Sequence, residues 1–78
     1  MLKEQTRVAL ATPPDVPLDA DELRLLRLLS EGLPLETVAR QMYLSDRTVR
    51  RRTRAICERL HVSTPIETVV WAVRRRQL

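Results

Sequence analysis

From residue 20 onward, apolar residues in this chain return at three- and four-residue spacing, the period of an amphipathic helix. Leu23, Leu25, Leu26, Leu28 and Leu29 make a broad apolar face, with Arg24, Arg27 and Glu31 left to water. Asp19 is placed to cap this helix, Glu22 completes a capping box, and Leu18 can staple onto Leu23. Gly32, the one glycine, stands where a left-handed residue ends a helix. The pattern predicts a first helix over 20–31. A shorter second helix is expected over 35–42, where Val38, Ala39 and Met42 are in period and Leu35 and Leu44 pack at the ends. Pro34 occupies its capping position and has no side-chain acceptor. Tyr43-Leu44-Ser45 then reads as a tight turn.

Ser45 is a good cap for a third helix over 46–60, with Asp46 near its positive end. At about 100° per residue, Ile56 and Leu60 fall within about 20° of Val49, and Thr53 within about 40°. That is the expected buried stripe. Arg47, Arg50, Arg51 and Arg54 lie at roughly 100–200° on the same wheel, facing the other way. Thr48, Arg52 and Arg59 form a flank between them. His61 follows where a left-handed residue is expected. Thr64-Pro65-Ile66-Glu67 supplies a cap, a proline at the first helical position and a capping-box glutamate. A fourth helix over 65–76 is expected to bury Ile66, Val69, Val70 and Val73 and to carry Thr68, Trp71 and Arg75 on its other side. Pro13, Pro14 and Pro17 interrupt any helix upstream, so residues 1–17 read as an arm and 18–78 as the folded domain. The fold expected is all-α, four helices, with the second and third in helix-turn-helix order.

Composition narrows the classes of function. With 78 residues the chain makes one small domain, and 44% hydrophobic with 31% charged residues is a globular balance. One cysteine, Cys57, excludes an internal disulfide. No apolar run approaches the roughly 20 residues that span a bilayer. No paired carboxylates or nucleophile–base set stands out, so catalysis is not expected. One histidine and one cysteine are too few for a four-ligand metal site, and no cofactor is expected. Tyr43 and Trp71 alone give no platform for stacking single-stranded bases.

Charge changes the picture more. Residues 1–46 hold Lys3, Arg7, Arg24, Arg27 and Arg40 against eight acidic groups, a balance of −3; residues 47–78 hold nine arginines against Glu58 and Glu67, a balance of +7. Such segregation suits a polyanionic partner. An arginine run alone is ordinarily a solvated face, but this one backs onto a clean core stripe. A B-DNA major groove, about 12 Å wide, admits one helix, and arginine can bind guanine O6 and N7 with two hydrogen bonds. A membrane role fits less well, because the arginine face has no apolar insertion face beside it.

Several stretches resemble the LuxR-type (GerE-type) DNA-binding domain of bacterial transcription regulators. They are Leu28-Leu29-Ser30-Glu31-Gly32-Leu33, Val38-Ala39-Arg40-Gln41-Met42, Leu44-Ser45-Asp46-Arg47-Thr48-Val49-Arg50 and Arg59-Leu60-His61-Val62-Ser63, with Glu67 and Val69. The similarity runs from Leu18 to Leu78, and its most specific part is Ser45 to Arg50. It implies a cytoplasmic regulator that binds double-stranded DNA as a homodimer, with 46–60 as recognition helix and 65–76 as dimerisation helix. Base contacts carry over to Arg50, Arg51 and Arg54, the face the helical wheel also selects. Thr48 matches a phosphate contact, and Arg47, Arg52 and Arg59 are placed to join it. The dimer contact is assigned to Thr68, Trp71 and Arg75, with Trp71 equally suited to capping the core edge. The chain departs from the family at Pro34, Glu36 and Thr37, at Arg52 in place of His or Tyr, and at His61 and Arg76 in place of glycines. Family members usually carry a further domain upstream, so a 17-residue arm implies a single-domain regulator or a fragment. Two other readings stay open: a promoter reader like sigma-factor region 4, in contact with RNA polymerase, and a helical module that heterodimerises with a regulator.

Overall fold

The computed structural model describes residues 16–78. Four α-helices follow one another, α1 (Ala20–Ser30), α2 (Leu35–Gln41), α3 (Asp46–Leu60) and α4 (Pro65–Arg74), and no strand occurs among the described residues. The all-α expectation holds, and the helix starts fall where the capping residues place them. Of the arm expected over 1–17, residues 1–15 lie outside the described residues; Val16 already packs against the core.

Each helix start has a local cause. Asp19 accepts from the Glu22 N–H at 2.7 Å while Glu22 accepts from the Asp19 N–H at 3.0 Å, a complete capping box. Ser45 Oγ accepts from the Thr48 N–H at 3.1 Å. Before α4, Glu67 accepts from the N–H groups of Thr64 at 2.8 Å and Ser63 at 3.0 Å. Pro34 caps α2 with no side-chain bond, as its chemistry requires.

The helix ends share one device. Gly32, Tyr43, His61 and Arg76 all have positive φ, between 58° and 78°. At three of them the chain closes back on the helix: Leu44 N–H donates to the Ala39 carbonyl at 2.9 Å, Val62 to Cys57 at 3.0 Å, and Gln77 to Ala72 at 2.9 Å. This is why α4 stops at Arg74 rather than continuing to 76. It is also why α2 stops at Gln41, with Met42 as its cap. The left-handed histidine at 61 was legible in the sequence; the one at Tyr43 was not.

The core is built from Leu25 and Leu26 of α1, Val38 and Ala39 of α2, Val49, Ile56 and Leu60 of α3, and Trp71 and Ala72 of α4. Helix α1 packs on α4 and α2, and α3 packs on α2 and α4. Arg24, though exposed, donates to the Gln41 carbonyl at 3.0 Å and so ties α1 to the open end of α2. Buried Thr53 returns its hydroxyl to the Val49 carbonyl at 2.8 Å, and Thr68 returns its own to Pro65.

Helix α4 is rotated from the expectation. Thr68, Val69, Trp71 and Ala72 are buried, whereas Ile66, Val70 and Val73 are 62%, 42% and 53% exposed. Only Val69 of the expected stripe faces in. The buried face holds the largest side chain of α4, packed with Ala72 into the core. Burying an indole of about 200 Å² is worth about 5 kcal/mol. That gain exceeds the about 1–3 kcal/mol cost of an indole N–H that finds no partner among the described residues. Trp71→Ala is therefore expected to destabilise the fold by about 3–5 kcal/mol, and Val73→Ala by under about 1 kcal/mol, in urea denaturation. Equal losses at the two positions would contradict this packing.

Candidate nucleic-acid interface

Helix α3 sorts its side chains by burial into two sides. Val49, Thr53, Ile56, Cys57 and Leu60 are buried, and Arg47, Arg50, Arg51 and Arg54 are all exposed. None of these four arginines makes an ion pair or a side-chain hydrogen bond with the described residues. Their guanidinium groups are therefore available to a ligand. The three arginines expected to read bases and Arg47, one of four residues expected to hold phosphates, are thus all exposed on α3.

The flank is less uniform. Thr48 is half-buried, and its Oγ1 accepts from Ser45 Oγ at 2.9 Å. That bond uses the serine proton, which leaves the threonine proton free to donate outward. Arg52 is exposed and borders a cleft of about 270 Å³ with Asp19, Asp21 and Glu22 of the α1 start. Arg59 is already engaged: its guanidinium pairs with Glu22 and donates to the Pro17 carbonyl at 3.0 Å. A phosphate role for Arg59 would compete with these two contacts, which lie within the fold and tie the end of α3 to the start of α1. Sequence reading missed this contact because the two residues are far apart in the chain.

The dimer assignment is corrected at Thr68 and Trp71. Thr68 and Trp71 are buried within a single copy, 0% and 4% exposed, and so offer no surface to a second one. Arg75 lies over the Trp71 ring, 4.9 Å from its centroid, a cation–π contact. The outward face of α4 is instead Ile66, Val70 and Val73, at the i, i+4, i+7 spacing of a helix-packing stripe.

Two titratable groups are perturbed. Burial, followed by the nearby Glu67 charge, raises the pKa of the Cys57 thiol, which favours its protonated form. The hydroxyl and N–H of Thr64, then the Ser63 N–H, hold the Glu67 carboxyl below the usual range. Among the described residues no cluster of three or more His, Cys, Asp or Glu could hold a metal ion, and no helix is long and apolar enough to cross a membrane. No protein-family model matches the chain, and no curated protein matches its sequence.

Because the Glu67 pKa is lower folded than unfolded, its contribution to stability is complete above the ordinary glutamate range and lost as pH falls through the folded value. Glu67→Gln is expected to flatten the fall in stability between neutral and acid pH, and to leave the remaining stability nearly independent of that group. Unfolding curves recorded across that range would test it, and an unaltered acid limb would refute the assignment.

Proposed function

We propose that this chain binds double-stranded DNA, as a bacterial transcription regulator or the DNA-binding part of one, acting in the cytoplasm. The observation that supports this most directly is the set of four exposed arginines with no ion pair among the described residues, projecting from the helix whose other side is sealed into the core. In this reading α3 enters the major groove. Arg50, Arg51 and Arg54 meet base edges, where the planar guanidinium can bind guanine through two hydrogen bonds. Arg47, Thr48 and Arg52 meet phosphates on the groove wall. Arg59 holds the groove helix to α1 instead of touching the duplex. Neither a cofactor nor a catalytic step belongs to the reading.

The reading carries a homodimer joined through Ile66, Val70 and Val73, and such a pair suits half-sites about 10 bp apart. Support comes from the exposure of these three apolar side chains on one stripe of α4. A second reading, a helical module that heterodimerises with a regulator, is favoured by the same stripe; it forecasts no duplex binding by the chain alone.

Arg50→Ala and Arg51→Ala are each expected to cost about 1–3 kcal/mol and to relax preference at one base position, measured by selection of duplexes from a random pool. Arg52→Ala is expected to weaken all duplexes alike and to flatten the dependence of log K on log salt. Unchanged affinity and preference in both base-face variants would refute the assignment. Val70→Glu is expected to shift sedimentation from dimer to monomer while the fold persists, since the side chain already meets water. A wild-type chain that sediments as a monomer at high concentration would remove the dimer.

A further inference from the structure

The turn between α2 and α3 carries an aromatic side chain that the fold does not use. Tyr43 is 90% exposed, and among the described residues its phenol makes no hydrogen bond and its ring no cation–π contact. Its backbone sits at φ 58°, a region that glycine enters freely and a bulky L-residue enters at a cost. The hydrogen bonds that close the turn, Tyr43 N–H to the Arg40 carbonyl at 3.2 Å and Leu44 N–H to the Ala39 carbonyl at 2.9 Å, use main-chain atoms only. Glycine would make both. Leu44 supplies the apolar contact to the core, and Ser45 supplies the cap. For the isolated chain, then, a tyrosine here is worse than a glycine in backbone strain, and its exposed ring returns no packing that would offset it.

The surroundings of the ring indicate what could compensate. Arg40 is exposed on the last turn of α2, and Ser45, Arg47 and Thr48 open α3. Cations and hydroxyls that precede and follow a tyrosine within a few residues suit a sugar–phosphate strand: the ring can lie on deoxyribose while the O–H donates to a phosphate oxygen. Residues immediately before a groove-bound helix lie against the strand that borders the groove.

We propose that Tyr43 is a backbone-clamping contact to duplex DNA, resting on the reading of α3 as a groove helix. A phenol is neutral and displaces no counterion, so removing it lowers affinity by one factor at every salt concentration. This separates it from an arginine contact, whose loss changes the salt slope.

The test titrates the full chain with a mixed-sequence DNA duplex at several salt concentrations, as wild type, Tyr43→Gly and Tyr43→Phe, beside thermal unfolding of each. Tyr43→Gly is expected to unfold at the same or a higher temperature and to bind roughly 5–30-fold more weakly with an unchanged salt slope. Tyr43→Phe, which keeps the ring, is expected to fall between the two. Wild-type affinity in Tyr43→Gly overturns the Tyr43 contact and leaves the duplex-binding reading in place. Lower thermal stability in Tyr43→Gly, or an altered slope, overturns it too, because the side chain would then serve the fold or the local charge. A wild-type chain that binds no duplex overturns both readings together.

Discussion

The structure depends on the burial of one stripe, Val49, Thr53, Ile56 and Leu60, between α3 and its neighbours α2 and α4. Alone, a fifteen-residue helix is at the margin of stability in water, and this one sets like charges three and four residues apart at Arg47, Arg50, Arg51 and Arg54. Each such pair costs about 0.2–0.5 kcal/mol. Sealing each of the aliphatic residues of the stripe stabilises by about 1.5–3 kcal/mol. Burial outweighs repulsion, so the arginines can crowd one face without melting the helix, and the same burial decides which way they point.

A second constraint is how short the connections are. Each helix is followed by a residue of positive φ, and in three of the four cases that residue is not glycine. A left-handed residue reverses the chain within a single step, which allows four helices to fit in about sixty residues. Between α2 and α3 this geometry brings Leu44 back to the core and delivers Ser45 as the cap of α3. Helix α3 therefore inherits its direction from a turn whose conformation is strained at Tyr43. Arg59 adds a tether at the opposite end, where its guanidinium joins Glu22 and the Pro17 carbonyl. Both ends of α3 are thus held by contacts outside its own ladder of hydrogen bonds.

Helix α4 shows how a small domain can use one helix twice. Its inward side holds Val69, Trp71 and Ala72 with a self-bonded Thr68, and its outward side holds Ile66, Val70 and Val73. A chain of this size has little apolar surface to spare, so three half-exposed aliphatics on one stripe support the proposed association. The arginine face of α3 and this stripe lie on different helices, so the proposed duplex binding and the proposed self-association would not compete for the same residues.

What the sequence determined by itself rests on neighbours a few residues apart: four helices, their caps at Asp19 and Ser45, the left-handed His61, and the division of α3 into an apolar back and an arginine front, though not the left-handed turn at Tyr43. These follow from local hydrogen bonding and from one clear helical stripe. What tertiary structure alone decided was where the local pattern pointed elsewhere or the partner was distant. On α4 periodicity favoured the stripe Ile66, Val69, Val70 and Val73, and Trp71 with Ala72 took the inward face only where α1 and α3 formed a site for them. Arg59 looked like its neighbours on the wheel, and Glu22, thirty-seven residues away, took it out of their company.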